Sequence, residues 1–146
     1  MKFSLQKFFQ SSPEQGPPDE RMQRLAVTQL LLEIARADMK SDAVEIAAIR
    51  KHLAQAYDLD DAALDELMQT ASERVGAAVS LYDTVNVINQ RLDAEGKARL
   101  VRALWQVAYA DGHLDPYEEA MLRRLADLLY VSHDTFIQEK LKLLDG

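Results

Sequence analysis

The chain has 146 residues, a net charge of −7, and no cysteine. That length can bury a core in one domain, and the missing thiols exclude a disulfide framework, a thiolate metal site and a cysteine nucleophile. The acidic balance argues against nucleic acid as a partner. Ala and Leu supply 20 and 21 residues, while Val, Ile and Thr number only 9, 5 and 4. With 5 Gly and 4 Pro besides, the composition favours helices and excludes a many-stranded sheet.

Met1–Gln10 holds Phe3, Leu5, Phe8 and Phe9 with Lys2 and Lys7 and no acid. Met1, Leu5, Phe8 and Phe9 share a helical face, but so short a helix needs something to pack on. The body of the domain is one candidate, and a partner or membrane surface is the sharper alternative. The segment lacks the continuous apolar stretch of a signal peptide, and no run reaches the roughly 18 apolar residues of a membrane span. A soluble, cytoplasmic protein is expected. Ser11–Pro18, with three prolines and a glycine, reads as a linker. Residues 1–18 are therefore set apart from a helical domain over 19–146.

Seven helices are predicted from Asp19 onward. The first runs from a cap at Asp19 or a neighbour to about Ala37, with an apolar stripe so wide that it reads as central. The second follows Asp42 to about Tyr57, and the third spans roughly Asp61–Val75. Ser80-x-x-Asp83 opens a short fourth. Asp93 caps a fifth that carries Leu100, Leu104, Trp105, Val107 and Ala108. The last two cover about Pro116–Tyr130 and His133–Leu144.

Shifted by 73 residues, the chain matches itself. Ala35, Ala37, Asp38, Asp42, Glu45, Ala47, Arg50, Tyr57, Asp61 and Glu66 fall on Ala108, Ala110, Asp111, Asp115, Glu118, Ala120, Arg123, Tyr130, Asp134 and Glu139. A three-helix unit occurring twice, joined by the fourth helix, would bury its apolar faces across a pseudo-two-fold. Superposition of 20–66 on 93–139 tests that arrangement. Whether the two helix junctions then lie at one end or opposite ends depends on helix direction, which the sequence leaves open.

The repeat centres on A-x-A-D-x-x-x-D-x-x-E. Ala110-Asp111-Gly112-His113-Leu114-Asp115-Pro116-Tyr117-Glu118 followed by an apolar helix resembles the D-G-x-apolar-x-x-x-E signature of tellurite-resistance TerB-like domains. Ala37–Glu45 is a degraded copy. The resemblance spans about Met22–Leu144. It implies an all-α fold with the same duplicated layout, an acidic surface that takes a divalent metal, and no enzymatic activity. It also implies stress physiology of bacterial tellurite-resistance type. Related domains are fused to DnaJ-type co-chaperones, but this chain has no His-Pro-Asp, so that role would be supplied in trans.

Two readings meet at these acids. Asp42 with Glu45, and Asp115 with Glu118, have N-cap/N3 spacing, and Pro116 occupies the favoured N1 position. Capping alone accounts for all four. It does not account for Asp38 and Asp111, which end the preceding helices where the dipole disfavours an anion. Either they form local Asx-type turns, or Asp38, Asp42, Glu45 and Asp111, Asp115, Glu118 converge oxygens on Ca²⁺ or Mg²⁺. The second set is the stronger metal candidate, because Gly112 turns freely and His113 adds an imidazole, whereas Met39 and Lys40 weaken the first.

Elsewhere, Asp58, Asp60, Asp61, Asp65 and Glu66 read as a solvated helix start or as a docking face for a basic partner. His52 and His133 read as surface residues, and Trp105, Tyr109 and Tyr130 as core. No phosphate-binding loop or catalytic triad spacing occurs. The sequence thus points to a protein-interaction module with an acidic surface. The alternatives are a metal-dependent hydrolase using the same carboxylates, or a structural, oligomerising domain.

Overall fold

In a computed structural model, residues 18–37, 43–75 and 78–145 are described. They form α1 (Pro18–Arg36), α2 (Ala43–Tyr57), α3 (Asp61–Arg74), α4 (Ala78–Arg91), α5 (Ala94–Ala108), α6 (Pro116–Leu128) and α7 (His133–Asp145), with no strand among the described residues. The fold is all-α, as composition and periodicity require. Met1–Gln10, most of the linker, Asp38 and Asp42 lie outside the described residues.

Side-chain oxygens open four of the helices. Asp60 Oδ1 accepts from Ala63 N at 2.9 Å, Asp93 Oδ1 from Gly96 N at 2.8 Å, Asp115 Oδ1 from Tyr117 N at 2.8 Å, and Ser132 Oγ from Thr135 N at 3.1 Å. Each satisfies an amide that the helix cannot. Two boundaries differ from the sequence reading. α1 takes in Asp19, beginning at Pro18, and α4 begins at Ala78 before Ser80. Proline suits a first turn because it has no N–H to leave unmet.

α1 is the centre of the molecule, in contact with α2, α3, α4, α5 and α6. Leu25 to Ala35 is buried almost without a break, polar Thr28, Gln29 and Glu33 included. Buried polar groups need partners. Gln29 Oε1 accepts from Arg74 Nε at 3.1 Å and from Thr84 Oγ1 at 2.7 Å, and Thr28 Oγ1 donates to Arg24 O at 2.7 Å.

Several of the helix contacts are related by the 73-residue shift. α1 packs most extensively on α3, and α5 on α7. The cross-contacts α1 with α6 and α2 with α5 exchange under the same correspondence. The 73-residue shift also relates two cation–π pairs. The Arg24 guanidinium lies 5.9 Å from the Tyr57 ring centroid, and Lys97 Nζ lies 5.8 Å from that of Tyr130.

Candidate functional site

The second acidic motif is a tight connection between α5 and α6. α5 closes on Tyr109, whose N–H donates to Trp105 O at 3.0 Å, and Gly112 N donates back to Tyr109 O at 2.9 Å. Gly112 then takes φ +87, a left-handed angle that side-chain-bearing residues adopt at a cost. The chain leaves along Leu114 and enters α6 through the Asp115 cap and Pro116.

Asp111 and Asp115 are both tied into this turn. Asp111 Oδ1 accepts from His113 N at 2.9 Å, an Asx-type turn, and Asp115 Oδ1 holds Tyr117 N. The anion at the end of α5 is thereby explained by a local backbone bond. Asp111 and His113 are nonetheless exposed, and Tyr117 beside them is 71% exposed. Glu119 follows on the first turn of α6, 3.8 Å from Arg123.

The glutamates behave differently. Glu45 and Glu118, which the repeat equates, are only 1% and 2% exposed. Both make interactions within the protein. They sit on the inner faces of α2 and α6, so they are enclosed while Asp111 faces solvent. Helical spacing foreshadows this: Glu45 is four residues from buried Ile49, and Glu118 four from buried Leu122.

The expected divalent-metal site can be tested on this donor set. Asp111 and Asp115 each commit one oxygen to a backbone amide, Glu118 is enclosed, and among the described residues no three His, Asp or Glu side chains gather as an ion would require. This arrangement does not fit a resident Ca²⁺ or Mg²⁺, each of which takes six or so oxygen ligands. Asp38 and Asp42 of the first motif lie outside the described residues, and Glu45 is their one described member.

The acids of 58–66 divide among local tasks. Asp60 caps α3, and Asp65 Oδ1 bonds Arg50 Nη2 at 2.8 Å. Asp58 adopts φ 53 at the end of α2, a conformation aspartate tolerates better than most residues.

Two assignments need correction. Trp105 is fully buried, but Tyr130 is 82% exposed and lies outside the core. It is the second residue past α6, beyond the C-cap Leu129, at φ 59, which turns its side chain outward. His52 is half-buried rather than on the open surface, and desolvation lowers its pKa from the ordinary histidine value. It lines a groove of about 270 Å³ between α1, α2 and α5, together with Gln23, Tyr57 and Arg99. Burial raises the pKa of the Tyr57 hydroxyl, a rise opposed by the nearby Arg24 charge and by Gln23. Sequence reasoning missed this groove, although the repeat itself held the signal. His52 and Ala56 occupy the positions that Leu125 and Leu129 fill in the second unit.

No helix among the described residues is long and apolar enough to cross a membrane. Residues 24–141 match the family described as Tellurite resistance protein TerB. Neither a curated protein nor a solved structure matches the chain.

Proposed function

The chain belongs to the TerB family of tellurite resistance proteins, and from that premise we propose that it is a non-enzymatic protein-interaction module working through its second acidic loop. The setting is stress physiology of the bacterial tellurite-resistance type. The observation that carries the reading is Tyr117, 71% exposed on an α6 start capped by Asp115 and Pro116, with exposed Asp111 before it and half-buried Glu119 after it. An exposed aromatic ring near the carboxylates of Asp111 and Glu119 in the chain suits a basic segment of a partner protein. Aromatic anchors supply much of the affinity at interfaces, and surrounding charges speed encounter and select sign.

No step of this proposal passes through a metal, because the donors do not fit one. Calorimetry with millimolar Ca²⁺ or Mg²⁺ checks the point: no binding heat is expected, nor any rise in melting temperature that Asp111→Ala abolishes.

The interaction itself is tested by affinity capture from the source organism. The wild-type chain is compared with the double variant Asp111→Asn/Tyr117→Ala and with Leu144→Ser as a distant control. A partner held by the wild type and the control, weakened at least about tenfold by the double variant and released by salt, is expected. A partner retained equally by all three chains would overturn the assignment of this loop.

A further inference from the structure

The groove beside His52 exists because the two units differ at two positions. In the second unit Leu125 and Leu129 are fully buried where α6 meets the body. In the first unit those positions are His52 and Ala56, and the space they vacate is the groove of about 270 Å³, walled by Val27, Leu92 and Leu100. A cavity of about 150 Å³ suffices for one benzene ring. Gln23 and Tyr57 also border a second hollow of about 350 Å³ that reaches Glu20 in the first turn of α1. The concavity therefore runs toward the point where the preceding chain arrives.

We propose that the aromatic side chains of Met1–Gln10, Phe8 and Phe9 foremost, dock in this groove within the same molecule. Three of the chain's four phenylalanines lie in those ten residues, too short a segment to shelter them alone. The reach is ample. Nine residues from Phe9 to Pro18 span up to about 30 Å extended, and Gln23 sits only about 7.5 Å along α1 from its start. The tether raises local concentration to the millimolar range, which favours this occupant over a second copy of the chain.

Chymotrypsin, which cuts after exposed phenylalanine, tests the docking on the full chain. Cleavage after Phe8 and Phe9 is expected to run about tenfold slower than in the synthetic peptide 1–17, since cutting follows the opened population. Ala56→Leu copies the second unit and fills the groove. Ala56 is exposed, so the helix tolerates the change, and cleavage should accelerate toward the peptide rate. His52→Leu serves as an independent filling variant with the same expected result. Protection should be unaltered by hundredfold dilution. Cleavage of the wild type at the peptide rate, protection that neither filling variant relieves, or protection that fades on dilution would each overturn the proposal.

Discussion

The two units of the repeat solve one packing problem in opposite ways. Gln29 on α1 and Arg102 on α5 are equivalent under the 73-residue shift. Gln29 is fully buried beside α4, and its amide oxygen accepts from Arg74 and Thr84. Arg102 is partly open, and its Nε donates to Glu139 Oε1 at 2.8 Å, with Lys142 Nζ 2.9 Å from Oε2. A position covered by a helix takes a neutral amide, because an enclosed charge must lose its hydration. A position left at the edge takes an arginine, whose head stays partly wet. α1 is accordingly buried all round, while α5 is sharply two-faced, with Arg99, Arg102 and Gln106 on its outer side. At these two positions the number of neighbours decided the residue.

The strongest way to break this comparison is in the core. Trp105 is fully buried, its ring lies tilted with its centroid 4.7 Å from that of Phe136, and it donates Nε1–H to Phe136 O at 3.0 Å. It ties α5 to α7, a task its counterpart Leu32 does by packing alone. Trp105→Ala should cost about 3–5 kcal/mol in urea unfolding, through the cavity and the abandoned carbonyl. Leu32→Ala should fall lower, at about 2–4 kcal/mol. Equal costs would mean that the indole hydrogen bond adds nothing.

The edge cluster gives the next largest effect. Burial alone would raise the Glu139 pKa, but hydrogen bonds from Lys142 and Arg102 outweigh it and hold the carboxyl below its ordinary value. The folded state therefore binds its proton later than the unfolded chain. The resulting stability is present above the unfolded value of about 4.3 and is lost as pH falls through the folded one. Glu139→Gln should cost about 1–3 kcal/mol at pH 7 and converge on the wild type in acid. Glu66→Gln, at the half-buried equivalent site, should cost less than half as much. A Glu139→Gln deficit that persists unchanged at pH 3 would contradict the charge-based account.

The acidic turn sharpens the contrast between the two motifs. At φ +87 a Cβ on Gly112 would touch nothing within 4 Å, so Gly112→Ala tests backbone strain without a clash. A loss of about 1 kcal/mol is expected by thermal denaturation. No loss would show that the turn can relax, and then Asp111 would not be held rigidly.

Much of this was readable beforehand, for reasons that differ by residue. Asp93 and Asp115 announced their helices because capping is a local hydrogen bond, decided within three or four residues. The α1 stripe announced burial because periodicity reports a face. What escaped was set by other elements. Tyr130 carries helical spacing yet lies past the helix end, where one left-handed residue redirects it. Glu45 and Glu118 read as surface acids, since capping spacing says nothing of what stands opposite. The groove escaped because it arises from a difference between units, and single-position reasoning treats His52 and Ala56 separately.

The smallest expected effect is the one that separates the units by sign. Val131 N donates to Ala126 O at 2.9 Å and Tyr130 N to Asp127 O at 3.1 Å, the pair of bonds of a Schellman ending for α6. Glycine or asparagine normally stands at that left-handed position, and tyrosine there works against its Cβ. In the first unit the left-handed residue after α2 is Asp58, which tolerates φ 53. Tyr130→Asn should therefore stabilise, by about 0.5 kcal/mol once the exposed Lys97 cation–π contact is forfeited. Asp58→Ala should destabilise by about as much. Paired thermal melts would read a rise of about 1–2 °C for the first and a fall for the second. If Tyr130→Asn instead lowers the melting temperature, the ring's contact with Lys97 outweighs the strain, and this exposed tyrosine holds α5 to the end of α6 as Tyr57, under Arg24, joins α1 to the end of α2.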